Sequence, residues 1–170
     1  YKRQVQNRVT QWLNPWADDK GQLVQTWYAL AWGGVAGTGI GLGTSDTAVP
    51  VVESDFIFAA IGEELGLLGG TAILVAYLLF VGAGLRVAVQ SEHAFDKLLA
   101  AGLTALVGMQ AFVILAGVIR LLPLTGVVLP FVSYGGSALV ANYVLLALVL
   151  RISNDNSRRK APARREAVAV

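Results

Sequence analysis

From Phe56 to Val89 the chain is largely apolar, and its only charged residues are Glu63, Glu64 and Arg86. A bilayer core about 30 Å thick needs about 20 apolar residues. At about 1.5 Å per residue this run outreaches that thickness, so it has to cross tilted or broken, with the break expected near Gly69-Gly70. Two more apolar stretches follow, Leu98 to Ile119, closed by Arg120, and Ala138 to Leu150. A chain with 55% hydrophobic and 14% charged residues lies far below the charge of a soluble domain, about 25%. These features predict an all-α polytopic membrane protein with three spans at about 56–89, 98–119 and 138–150.

The chain opens on Tyr1 and lacks the charged-then-apolar layout of a secretory signal, which gives the expectation that it is the carboxyl-terminal part of something longer. The absence of cysteine excludes disulfides and thiolate metal sites, and the single His93 excludes a histidine-rich metal centre. Charge is concentrated in residues 151–170, where Arg151, Arg158, Arg159, Lys160, Arg164 and Arg165 face only Asp155 and Glu166. This basic tail is expected to be disordered and cytoplasmic. Following directly on a span, it suits anionic lipid better than nucleic acid.

Counting back through three crossings puts the turn at 91–97 inside, the Arg120 to Ser137 loop outside and Asp55 outside. Residues 1–55 then form an extracytoplasmic loop. Asn14-Pro15 breaks it, Trp12 and Trp16 suit a membrane interface, and Leu23 to Ile40, interrupted by Gly33, Gly34, Gly37 and Gly39, predicts a short or re-entrant helix. The run from Gly37 to Gly43 is no nucleotide loop, because no Gly stands three residues after a Gly-x-Gly pair and no Gly-Lys-Ser/Thr follows.

Three carboxylates in or beside one apolar segment need a purpose, at roughly 2.5 to 3.5 kcal/mol each in mid-membrane. Asp55 stands where the polar loop gives way to the apolar run; it suits an N-cap for the helix beginning at Phe56 and equally a general base, since a helix start holds a carboxylate ionised. Glu63 lies about 12 Å deeper and roughly 80° around, whereas Glu64 falls on nearly the opposite face. Gly62, Gly66 and Gly70 are spaced for close helix packing. Between Leu122 and Ser137 two prolines, Gly135-Gly136 and several hydroxyls precede a helix. Backbone amides there suit a lipid-linked pyrophosphate, or the segment is a re-entrant turn with Ser137 as cap. Arg120 suits the same anion or an interface anchor.

Two segments together, Glu53-Ser54-Asp55-Phe56-Ile57-Phe58-Ala59 through Glu63-Glu64-Leu65-Gly66, and Leu129-Pro130-Phe131-Val132-Ser133-Tyr134-Gly135-Gly136-Ser137, resemble the signature of the SEDS family, the FtsW, RodA and SpoVE proteins. The likeness extends over Gln22 to Thr26 and the Gly-rich stretch, and is closer to RodA-type than to division-type members. It implies a peptidoglycan glycosyltransferase polymerising lipid II, for cell elongation or division, on the outer face of the bacterial cytoplasmic membrane beside a class B penicillin-binding protein. Asp55 falls on the family's essential aspartate. The substrate-binding residues implied are Glu53, Ser54, Glu63, Arg120, Thr125, Ser133, Tyr134, Gly135, Gly136 and Ser137. The chain departs from the pattern in having Glu53-Ser54 for His-Thr, Val51 for an acidic residue, and Thr125 where some members have Lys. The added charge of Glu53 favours a divalent cation, Mg or Mn. Competing readings are a lipid-precursor transporter using Glu63 and Glu64, and a scaffold without chemistry.

The topology makes an expectation for intact cells. A single cysteine at Ser54 is labelled by an impermeant thiol reagent and one at Ser157 is not; the opposite pattern inverts the arrangement.

Overall fold

The computed structural model describes residues 2–17, 22–43, 57–123 and 125–168. All regular elements among them are helical: α1 (Lys2–Leu13), a short 3-10 turn (Pro15–Ala17), α2 (Gln22–Gly33), α3 (Ile57–Glu64), α4 (Gly66–Gln90), α5 (Ala94–Val118) and α6 (Gly136–Val168). Three stretches, Gly66–Gln90, Ala94–Val118 and Gly136–Arg159, are long and apolar enough to cross a membrane. At 25 residues each, α4 and α5 reach about 37 Å, which leaves room for tilt across a core of about 30 Å. Large apolar side chains such as Leu78, Leu79, Met109, Phe112 and Val144 point outward, as lipid or further helices require.

The long apolar run is broken, but at Leu65–Gly66 rather than at Gly69-Gly70. A break exposes helix-end carbonyls and amides that need partners, and residues 34–43 supply them. The Thr38 amide and hydroxyl both donate to the Glu63 carbonyl, at 2.9 and 3.1 Å, and the Gly39 amide donates to the Glu64 carbonyl at 3.0 Å. In return the Leu67 and Leu68 amides, opening α4, donate to the carbonyls of Gly34 and Val35. Gly66 takes φ +66°, and a Cβ there would stand 2.4 Å from the Gly37 nitrogen; a Cβ on Gly37 would stand 2.0 Å from the Glu64 oxygen. Gly69 and Gly70 continue inside α4. The small residues Gly62, Gly66 and Gly70 therefore pack closely: Leu30 of α2 lies on Gly62, the 34–43 backbone on Gly66, and Phe58 on Gly70.

Below the break, α4 and α5 form an antiparallel hairpin brought together by small residues. A Cβ at Gly84 would meet the Thr104 hydroxyl at 2.2 Å, and one at Gly108 would meet Val81 at 2.9 Å. With little hydrophobic drive between helices in lipid, such close approach supplies the packing. Helix α6 closes the bundle through Leu145 and Val149 against Val107, and lower down through Ile152 against Ala88 and Ala100.

The tail departs from the expected disorder. Helix α6 runs on through the basic segment to Val168. Asn156, 9% exposed, donates to the Ser91 hydroxyl at 2.9 Å and to the Val87 carbonyl, so it caps the end of α4 from the next span. That pairing holds the helix together beyond Leu150.

At the opposite end α1 and α2 dock on the close of α5. Trp27 donates to the Val118 carbonyl at 2.9 Å, and the Trp16 and Trp27 rings lie 5.9 Å apart. The α3–α4 break, the 34–43 loop, α1, α2 and residues 119–123 and 125–135 thus gather at one end of the bundle; the 91–93 turn, Asn156 and the basic extension lie at the other.

Gly66→Ala combines a disfavoured φ with a backbone clash and is expected to cost more than about 2 kcal/mol. Gly82→Ala, where a Cβ meets nothing within 4 Å, is expected to be neutral or stabilising by up to about 1 kcal/mol. Thermal unfolding of the two purified full-length variants compares them.

Candidate functional site

Helix α5 ends in a turn that closes on itself: the Leu121 amide donates back to the Ala116 carbonyl at 2.7 Å, and Arg120 takes φ +65° at the position where glycine is usual. A left-handed conformation costs a non-glycine residue about 1 to 2 kcal/mol. Reciprocal contacts with α1 offset it. Trp12 Nε1 donates to the Arg120 carbonyl, while Arg120 Nε and Nη2 donate to the carbonyls of Trp12 and Leu13, all at 3.0 Å. The guanidinium, read above as an anion ligand or an interface anchor, is engaged in capping α1 and docking it on the loop.

A different cation stands further along the loop. Gly126 has φ +68°, and a Cβ there would lie 2.9 Å from Nη2 of Arg8. Sequence reasoning gave Arg8 no role, and nothing in the α1 pattern would have pointed to it; only the fold brings α1 to Arg120 and Gly126.

The next turn is built by Ser133. Its hydroxyl, 2% exposed, accepts the Leu129 amide at 2.8 Å, and its own amide donates to the Leu129 carbonyl. Ser133 is therefore an internal staple, not a surface hydroxyl. Within the turn Phe131 has φ +64°, its ring wedged between Phe80 at 5.7 Å and Tyr143 at 5.8 Å, while the Tyr77 hydroxyl donates to the Pro130 carbonyl. Strain of this kind persists only when its surroundings over-determine it. Beside the turn an apolar groove of about 220 Å³ runs between α4 and Pro130–Val132.

Beyond the staple the loop becomes open. Tyr134, Gly136 and Ser137 are exposed, as is Thr125 earlier in the loop. Helix α6 starts at Gly136, with the Gly135 carbonyl accepting the Leu139 amide at 2.8 Å, so Ser137 lies inside the first turn and does not cap it. The first amides of such a helix have no intrahelical acceptor and suit an anion. Neither glycine has a positive φ; a Cβ at Gly136 meets nothing within 4 Å, and one at Gly135 meets only ordinary contacts of 3.6 Å or more. Packing within the described residues therefore does not explain why both positions are glycine.

The two acidic residues of α3 stand at the break, before the span, and not inside it. Glu63 is 2% exposed, with Oε2 against Gly43. Glu64 accepts the Gly41 amide on Oε1 at 3.1 Å. At the other end of α3, Ile57 packs on the cluster of Ala111, Ile114 and Leu129, so α3 bridges the 34–43 loop and the 129–137 turn. Glu53, Ser54 and Asp55 lie outside the described residues. Among the described residues no group of three His, Cys, Asp or Glu side chains stands together.

Three helices able to cross a membrane, with polar and Gly-rich machinery gathered at one end, define a multi-pass membrane protein. The chain belongs to the family described as cell cycle protein, FtsW, RodA and SpoVE, whose model matches residues 1–158. It is 51% identical over 157 residues, 91% of the chain, to the peptidoglycan glycosyltransferase RodA of Mycobacterium tuberculosis. To the RodA of Mycobacterium leprae it is 44% identical over 98% of the chain, and to the probable peptidoglycan glycosyltransferase FtsW of Geobacter sulfurreducens 43% over 86%. The chain spans between 33% and 40% of the length of these curated relatives.

Gly136→Val in the full-length protein is expected to leave the unfolding midpoint near wild type while turnover drops by about 10²-fold, as misplacement of a substrate by about 1 Å does. Equal loss of folded protein and activity would return the glycine pair to a structural role.

Proposed function

We propose that the full-length protein is a peptidoglycan glycosyltransferase that polymerises lipid II at the extracytoplasmic face of the bacterial cytoplasmic membrane, beside a class B penicillin-binding protein acting as transpeptidase. The observation that carries this reading is the convergence of α3 with the 129–137 turn through Ile57 and Leu129. Asp55 stands two positions before Ile57, a tether of about 7 Å at full extension. The names of the relatives supply the reaction class.

In this reading Asp55 takes the proton of the 4-hydroxyl of the acceptor N-acetylglucosamine. The freed oxygen attacks the anomeric carbon of the donor N-acetylmuramic acid, the bond to the diphosphate breaks, and undecaprenyl diphosphate leaves with inversion at that carbon. A general base contributes typically about 10² to 10⁴ in rate, so positioning and charge stabilisation supply the greater share. The open amides at the head of α6 suit the departing diphosphate, with the apolar groove at Pro130–Val132 beside them and Arg8 at Gly126. Arg120, bound to α1, is left out of this role. A divalent cation, Mg or Mn, held by Glu53 and Asp55, would neutralise diphosphate charge.

A transporter would use carboxylates in mid-membrane, and Glu63 and Glu64 at the head of α4 fit that less well. Asp55→Asn in the full-length protein is expected to abolish glycan polymer from purified lipid II, read by gel or mass spectrometry, with expression and partner binding near wild type. Substantial polymer from the folded variant sinks the base assignment, and lipid II translocation that survives it but fails in Glu63→Gln favours transport.

A further inference from the structure

We propose that Tyr77 is a positioning residue for the transfer: by donating to the Pro130 carbonyl, its hydroxyl holds a re-entrant turn inside the bilayer core and so sets the height of the head of α6. The inference rests on the reading of that helix head as the donor diphosphate site.

The helices fix the depth of the turn. The Asn156–Ser91 hydrogen bond puts α6 and α4 level at the end opposite the site. Counted up from that pair at about 1.5 Å per residue, Gly66 stands about 37 Å above it, Gly136 about 30 Å and Tyr77 only about 21 Å. The head of α6 thus starts about 7 Å below the head of α4, and Tyr77 meets Pro130 from lower still. Helix α5 gives the same level independently. Leu129 packs on Ala111 and Ile114, about 10 and 6 Å short of the end of that helix at Val118. Past the end of α5 the chain therefore drops back among the spans, turns at Leu129–Ser133 and climbs to Gly136.

Irregular backbone at such depth persists only where protein meets its polar groups. Leu129 is met inside the turn: its amide donates to Ser133 Oγ, and its carbonyl accepts the Val132 and Ser133 amides. Pro130, less than 2% exposed, takes no part in that exchange. No backbone amide among the described residues reaches its carbonyl, and the Tyr77 hydroxyl supplies the donor. Without it the carbonyl would be buried and unpaired, a state relieved by the turn rising toward water. The head of α6 would move with the turn. Gly135 lies on Val128, its Cβ position 3.8 Å from a methyl group, and Tyr143, two turns into α6, packs on Phe131 at 5.8 Å. Only Tyr134 and Gly135 join the Ser133 staple to Gly136. The Tyr77 ring itself packs on two clusters, Ala111, Ile114 and Leu129 on one hand and Val107, Leu145 and Val149 on the other, and phenylalanine in its place keeps that packing.

A nitroxide on Val132→Cys, in the full-length protein reconstituted in bilayers, reads the height of the turn. With Tyr77 in place, its collisions with dissolved oxygen should outweigh those with an aqueous nickel chelate, and Tyr77→Phe should shift the balance toward the chelate. Assayed on purified lipid II with the partner transpeptidase, Tyr77→Phe should lose about 10²-fold in kcat, as a misplacement of about 1 Å does, with KM and the unfolding midpoint near wild type. A purely structural role would lower the yield of folded protein and leave kcat per folded molecule unchanged. That result overturns the proposal, as does a nitroxide that Tyr77→Phe leaves unmoved or that already meets the chelate with Tyr77 in place. If Tyr77→Phe fails to fold, Phe80→Leu serves as the second variant, because it loosens the Phe131 wedge in the same turn. A smaller shift in the same direction and a smaller loss in kcat are then expected, and a shifted label with wild-type kcat overturns the proposal. Gly136→Val, run in parallel, keeps the readings apart: its full activity would sink the diphosphate reading of the helix head, whereas an inactive Gly136→Val beside a fully active Tyr77→Phe sinks the positioning role alone.

Discussion

The backbone exchange between residues 34–43 and the α3–α4 junction is the constraint on which the rest of this end of the molecule depends. A helix broken at the edge of a bilayer leaves carbonyls and amides without partners, at a cost of several kcal/mol for each group left unpaired in lipid. Here the loop meets them from both sides, donating to Glu63 and Glu64 and accepting from Leu67 and Leu68. The approach is close enough that Gly33, Gly37 and Gly66 leave no room for a Cβ. Once the junction is fixed, the direction of α3 is fixed, and with it the place where Ile57 meets Leu129.

The spans were legible in the sequence because lipid imposes a simple rule of long, nearly uncharged helices, and Gly-spaced packing followed the same logic. The position of the break was not legible. Gly69-Gly70 is the more obvious weak point along the run, but a break settles where partners exist, and those partners come from residues 34–43, far away in sequence. The α1 partners of Arg120 were not legible for a similar reason. A cation next to a Pro- and Gly-rich loop reads as an anion ligand, yet the α1 carbonyls that engage it lie more than a hundred residues earlier. Ser133 and Asn156 are polar residues that satisfy backbone groups internally, which spacing alone does not reveal. Asp55 was singled out by position at a polar–apolar boundary and by family resemblance, and Arg8 by neither.

Functionally, the arrangement separates structure from chemistry along the loop at 119–137. Arg120 is committed to α1, and the Ser133 staple to its own turn. The last residues of the loop, Tyr134 to Ser137, are left open at a helix start. A rigid first half gives an anion at the second half a fixed reference to α3. In the proposed reading, a transfer between two lipid-linked sugars uses this arrangement, with donor diphosphate and acceptor hydroxyl held from different elements at one membrane edge.

The central claim is that the diphosphate of the donor sits on the head of α6. A structure of the full-length protein trapped with a non-hydrolysable lipid-linked diphosphate measures it most directly. The account predicts phosphate oxygens about 3 Å from the amides at Gly136 and Ser137. A diphosphate bound elsewhere, such as beside Glu63 at the α3–α4 junction, would contradict it.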